Sequence, residues 1–193
     1  MTSALLYLHG FNSSPQSFKA LALSDYMRTK NLQSQLSIPA ISPWPAEAYL
    51  QLCNEYTALK QHFDKVAVAG SSLGGFYATV LAEQYGCHAV LINPAVRPYS
   101  LLQKYIGDNV NYHTAEHWQF EARHVEQLRQ LDVASITRPE RYLLMLQTGD
   151  ETLDYRDAEM KYAGCEAIVE QGGDHGFAGF ERHIPRVLEF CGI

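Results

Sequence analysis

The chain has 193 residues, 47% of them hydrophobic, which is enough for one substantial core and suggests a single domain over residues 1–193. Its 15 basic and 21 acidic residues leave a formal charge of −6 and are interspersed, without the basic stripe a phosphate backbone requires, so nucleic acid is not an expected partner. The start, Met1-Thr2-Ser3, lacks a charged region, and the apolar run Ala4 to Leu8 is too short for a signal peptide or membrane span; the expectation is a cytoplasmic protein with no membrane partner.

Short apolar runs alternate with longer stretches of helical period, the pattern of an α/β protein whose parallel sheet is covered by helices. The first strand is expected near Ala4 to His9. Ser14-Pro15 suits the first turn of a helix running to about Lys30, with Phe18, Leu21, Ala22 and Tyr26 on its apolar face. A strand near Gln33 to Ile38 and a helix near Glu47 to His62 follow, then a third strand near Lys65 to Gly70 running straight into a helix over Ser72 to Tyr85. A fourth strand is expected at His88 to Ile92. About 45 residues, Pro94 to Pro139, then separate it from a fifth at Arg141 to Gln147, where an ordinary crossover needs far fewer, so residues 95–139 read as an inserted cap. The cap carries Tyr99, Tyr105, Tyr112, Trp118 and Phe120, with helices expected over Ala115 to Leu131 and Tyr99 to Ile106. Its aromatics, Tyr99 and Trp118 foremost, are expected to pack it on the body and share in substrate binding. A sixth strand at Cys165 to Glu170 and a helix over Phe180 to Phe190, disturbed at Pro185, complete the chain.

The third strand delivers Gly70-Ser71-Ser72-Leu73-Gly74. A reactive serine on a tight strand-to-helix turn needs small residues two before and two after it, and only Ser72 has glycine at both positions. Ser71 is expected to support the turn. An activated serine needs a base and the base an orienting acid. Asp150, with Asp154 as rival, follows the fifth strand, where parallel-sheet proteins present catalytic side chains. His175 follows the sixth in the loop Gly172-Gly173-Asp174-His175-Gly176-Phe177, with Asp174 expected to brace that loop. The oxyanion needs fixed N–H donors, for which the Phe11 and Leu73 amides are the candidates, Gly10 letting the backbone come close. His9 belongs to that loop rather than to the base.

His113, His117 and His124 have spacings that can align metal ligands on one helix face. Thr114 as N-cap would leave His113 outside the helix, and no carboxylate-histidine motif accompanies them, so no metal is expected. Cys53, Cys87, Cys165 and Cys191 lie far apart and read as reduced structural thiols.

Taken together, His9-Gly10-Phe11, Gly70-x-Ser72-x-Gly74, Gly149-Asp150-Glu151 and His175-Gly176-Phe177 resemble the α/β-hydrolase superfamily. The runs Leu8 to Pro15 and Asn93-Pro94-Ala95-Val96-Arg97-Pro98 most resemble its small bacterial esterases of the YqiA type. The resemblance implies an α/β-hydrolase fold of about six strands in the order 2-1-3-4-5-6, and hydrolysis of esters or acyl-CoA thioesters without cofactor or metal. It also favours Asp150 over Asp154, since the family pattern puts the acid first and a proline at the Asp154 position. Arg97 or Lys104 could meet a charged leaving group. A peptidase, a carbon–carbon bond hydrolase or a binding module keeping the fold are the alternatives, and oligomeric state is left open.

Overall fold

The computed structural model describes residues 2–111 and 114–193. Six parallel strands form one sheet: β1 (Ser3–Leu8), β2 (Leu36–Ser37), β3 (Lys65–Ser72), β4 (Ala89–Pro94), then β7 (Tyr142–Gln147) and β8 (Glu166–Glu170), separated from β4 in the chain by a two-stranded hairpin of β5 (Gly107–Val110) and β6 (His117–Phe120). The sheet order is β2-β1-β3-β4-β7-β8, which is the implied 2-1-3-4-5-6 once the hairpin is set apart. Among the described residues seven α-helices accompany it: α1 (Phe18–Thr29), α2 (Pro45–Lys60), α3 (Leu73–Tyr85), α4 (Pro98–Leu102), α5 (Ala122–Gln130), α6 (Tyr155–Lys161) and α7 (Ile184–Cys191).

Because strand side chains alternate, the sheet supplies two cores. Ala4, Leu6 and Leu8 of β1 join Tyr142, Leu144 and Leu146 of β7 on one face, against α2, α3 and α5. Leu5, Tyr7, Leu143 and Met145 point the other way, against α1 and α7. Central strands buried on both faces are near-continuous apolar runs for this reason.

Several expectations are corrected. The second strand shrinks to Leu36–Ser37, because Gln33–Gln35 wind into a 3₁₀ turn. Pro15 lies outside the first helix, in a turn where Gln16 N–H donates to Ser14 Oγ and Ser17 N–H to Ser14 O. That helix buries Ala20, Leu23 and Met27, whereas Phe18 and Leu21 are exposed; the helix is apolar on more than one side, and packing against the sheet selects the face. Pro185 opens α7 after a 3₁₀ turn over Phe180–His183 instead of disturbing a continuous helix.

The largest correction falls in the cap segment. The helix expected over Ala115 to Leu131 is half strand: His117 to Phe120 pair antiparallel with Gly107 to Val110, and only Ala122–Gln130 is helical. His117-Trp118-Gln119-Phe120 alternate exposed and buried, a period of two rather than 3.6. Glu121, not Thr114, stands at the helix start, where its N–H donates to His124 Nδ1 at 2.9 Å. His113 lies outside the described residues. His124 is buried, and burial, with Arg123 beside it, lowers its pKa. No cluster of three metal-ligating side chains occurs among the described residues. The helix expected over Tyr99 to Ile106 is shorter, α4 ending at Leu102 in a 3₁₀ turn. All four cysteines are free thiols, and no helix among the described residues is long and apolar enough to cross a membrane.

Candidate active site

The C-terminal ends of β1, β3, β7 and β8 converge on one rim of the sheet, and each delivers one of the expected residues. At β3 the backbone turns at Ser72 with φ 55° and ψ −121°, a conformation L side chains rarely adopt, which costs about 1–3 kcal/mol. The pairing of β3 with β4 shifts register between Ser71 and Ser72, and Ser72 O accepts from Ala95 N–H at 3.0 Å. Glycine is needed on both sides of this turn. A Cβ on Gly70 would stand 2.1 Å from Gly74 O, and one on Gly74 2.0 Å from Leu8 O. Gly10 packs against the serine itself, where a Cβ would lie 3.3 Å from Ser72 Cβ.

Asp150 Oδ2 accepts from His175 Nδ1 at 2.8 Å. The Asp150 side chain is only 2% exposed, and its Oδ1 takes the N–H groups of Thr152 and Leu153, both at 2.8 Å. A carboxylate so held can orient an imidazole and keep Nε2 directed outward. Asp154 has a different position: it caps α6, its side chain accepting from Arg156 N–H at 3.0 Å. Glu151, given no role of its own in the sequence, accepts from His175 N–H at 3.0 Å, and backbone N–H donors hold its pKa low.

The histidine loop is anchored from beneath by two buried amides. Asn93, at the end of β4 with φ 39°, donates Nδ2 to Asp174 O and His175 O and accepts Gln147 N–H on Oδ1. Gln147, at the end of β7, accepts Asp174 N–H and Ala178 N–H on Oε1 and donates to Ala178 O and Glu170 Oε2. Sequence reading missed Gln147 in this role. Its only signal was a polar side chain at the end of a buried strand. Asp174 serves the loop through its backbone, and its side chain faces solvent.

On the β1 side, His9 is buried with both ring nitrogens engaged, Nε2 accepting Ile41 N–H and Nδ1 donating to Gly10 O, each at 3.1 Å. Phe11 sits next in the chain, its ring edge-on to Trp118 and Phe120 and 5.2 Å from Tyr105. Leu73 is the first residue of α3, so its N–H lacks an intrahelical partner by position.

Two cavities open on Ser72 and His175. One, about 530 Å3, is bordered by Tyr7, Ser17, Lys19, Ser71 and Asp174. The other, about 220 Å3, is largely apolar and bordered by Phe11, Leu73, Pro98, Leu102 and Tyr105, with Lys104 at its edge. Neither includes the two cap aromatics expected to bind substrate. Tyr99 donates its hydroxyl to Asp132 at 3.0 Å and stacks under Arg129. Trp118 is buried, its Nε1–H donating to Asn12 Oδ1 at 3.0 Å, and it lines a separate cavity of about 270 Å3. Arg97 faces Asp157 at 3.7 Å and borders neither Ser72 cavity.

Comparison with known proteins agrees with the fold. The model of the "Uncharacterised protein family (UPF0227)" matches residues 4–192. A UPF0227 protein of Serratia proteamaculans is 26% identical over 195 residues, covering 96% of this chain and 97% of that one. A second, from Pectobacterium carotovorum, is 26% identical over 191 residues, with the same coverage of both chains. Among solved structures, Est1E from Butyrivibrio proteoclasticus has a TM-score of 0.71 at 12% identity, covering 100% of this chain and 89% of that one. The Pyrococcus furiosus esterase Pf2001 has a TM-score of 0.65 at 16% identity, with coverages of 99% and 80%. The sheet order and these likenesses make the fold that of the α/β hydrolases.

Proposed function

The chain belongs to the UPF0227 family, and from its α/β-hydrolase fold we propose that it is a serine esterase working through Ser72, His175 and Asp150. The observation that carries the reading is the 2.8 Å bond from His175 Nδ1 to a buried Asp150, on a cavity shared with a serine held at φ 55°. In this reading His175 Nε2 takes the Ser72 Oγ proton as Oγ bonds the acyl carbon. The Phe11 and Leu73 amides hold the oxyanion. The leaving oxygen, or sulfur in a thioester, departs with the proton from Nε2, and the acyl group stays on Ser72. Water, deprotonated by the same nitrogen, attacks the acyl carbon; Ser72 leaves with its proton restored and the carboxylic acid is released. Asp150 fixes the tautomer throughout.

The apolar cavity under α4 suits an acyl chain, and Lys104, which also borders it, supports a leaving group with an anionic end. The name of Pf2001 as an esterase supports the ester-bond reading by analogy of fold. The test is a panel of aryl esters of increasing acyl length beside acyl-CoA thioesters, with fluorophosphonate labelling. Wild type should turn over esters and take the label on Ser72. Ser72→Ala should lose the label and about 10⁶-fold in kcat, the order seen when a triad nucleophile is removed. Undiminished turnover by Ser72→Ala overturns the assignment.

A further inference from the structure

We propose that the larger cavity beside Ser72 binds a carboxylate carried by the substrate, held by the Lys19 ammonium and the Tyr7 hydroxyl. The ester cleaved then joins an apolar half, lodged under α4, to an acidic half. The inference rests on the serine-esterase reading and names its substrate class.

Three features of one wall converge. Lys19, in the first turn of α1, borders the cavity, and its Nζ donates to Gly176 O at 2.7 Å. An ammonium has three donors, and no carboxylate forms an ion pair with Lys19 among the described residues. Burial of its stem lowers its pKa to about 8, against the raising effect of Asp174 and Asp150. Tyr7 borders the same cavity from β1, with a fully buried side chain whose hydroxyl has no hydrogen-bond partner, the one such side-chain atom among the described residues. Buried hydroxyls are ordinarily paired, so this one, closed to water in a residue that borders the cavity, is a polar group with a bond still to gain from a ligand atom. Ser17 also lines the cavity, at the N-cap of α1, with its hydroxyl making no capping bond. The positive end of α1 therefore faces the same space.

The charge balance favours a carboxylate over a phosphate. One ammonium with two hydroxyls matches a single negative charge, and Asp174, which borders the same cavity, opposes a dianion. Asp174 is exposed and screened by water, and Lys19 is half-buried, so the ammonium is the less screened of the two charges.

Two pairs of esters test this, each pair matched except for the acid. The first is the butanoyl esters of 4-hydroxyphenylacetate and of 4-hydroxyphenylacetamide, with the acid in the leaving half. The second is phenyl hydrogen adipate and phenyl 5-carbamoylpentanoate, with the acid in the acyl half. The expected result is an acid-to-amide ratio of kcat/KM of tenfold or more in one pair, which identifies the half that enters the cavity. Lys19→Met should bring that ratio to about one, and Tyr7→Phe should lower it severalfold. If Lys19 only braces Gly176, its loss slows both members alike and leaves the ratio unchanged. The ratio should fall as pH rises through about 8, with Asp150, Asp174, His175 and Tyr7 as the titratable groups facing Lys19. A ratio near one in both pairs of the wild type, or one that survives Lys19→Met, overturns the proposal while Ser72 labelling and amide-ester turnover leave the esterase reading standing. If neither label nor turnover appears, the esterase reading fails by itself. Calorimetric binding of 4-hydroxyphenylacetate and adipate to Ser72→Ala, with and without Lys19→Met, then decides the cavity: Lys19-dependent binding of either acid upholds it, and its absence rejects it.

Discussion

Four of the six non-glycine residues with positive φ among the described residues, Asn12, Ser72, Asn93 and Phe177, stand on the loops that build the site. Strain of this kind persists only where surrounding structure enforces it. At Ser72 it yields a contrast: glycine tolerates φ 55° and alanine does not. Ser72→Gly should therefore be about 1 kcal/mol more stable than Ser72→Ala, reversing the usual order of the two residues, as urea denaturation would read. Gln147 gives a second expectation. Replacement by Met keeps the bulk but leaves Asp174 N–H and Ala178 N–H without their acceptor, each worth about 1–3 kcal/mol when buried. Gln147→Met should lose about 2–4 kcal/mol by denaturation. It should also lower kcat, because the loop it holds carries His175.

Between elements, the loop after β1, proposed to hold the oxyanion, is tied to the hairpin through Phe11 and Asn12. Phe11 lies among Tyr105, Trp118 and Phe120, and Trp118 Nε1–H bonds Asn12 Oδ1. Trp118 borders neither Ser72 cavity, and on the proposed reading it positions the Phe11 amide. Trp118→Phe preserves an aromatic ring and removes one hydrogen bond, worth about 0.5–1.5 kcal/mol of stability. It should reduce kcat severalfold with KM nearly unchanged; a change in KM alone would place Trp118 on the substrate instead. Ser72, Asp150 and His175 were legible in the sequence because each sits at a strand end bounded by glycines or turn residues, which punctuate the chain. The hairpin was not, since Ala115 to Leu131 mixes a four-residue strand with a nine-residue helix and His117, His124 and Leu128 happen to fall at helical spacing. Lys19 and Gln147 were invisible for another reason. Their meaning depends on what lies across the fold, Gly176 and Ala178, and no local pattern encodes that.

Across the whole molecule, the sheet ends at β8, an edge strand with mixed exposure, and the histidine loop hangs from it. Glu170 closes that edge. Its carboxylate accepts from Arg182 Nη2 at 2.6 Å and Gln147 Nε2 at 2.8 Å and meets His183 Nε2 at 3.0 Å, joining β8 to the amide clamp and to the turn before α7. The Arg182 bond first, and then Gln147, lower its pKa from 4.5 to about 2. A carboxylate whose pKa is depressed by folding adds stability that is complete above its unfolded value and is lost as pH falls through its folded one. The Glu170 contribution is therefore full above pH 4.5 and gone near pH 2. Wild type should accordingly lose stability over that interval faster than Glu170→Gln, which has no charge to neutralise there. Urea denaturation of both proteins from pH 7 to pH 2 should show two curves well separated at neutral pH and converging at the acid end. Because Gln147 shares the carboxylate, hydrogen exchange at Asp174 and Ala178 should accelerate over the same interval in wild type, ahead of exchange in β1 and β3. Curves that stay parallel would mean that Glu170 is bound no more tightly in the folded chain than in the unfolded one, and the edge would then owe its order to the Asn93 and Gln147 amides alone.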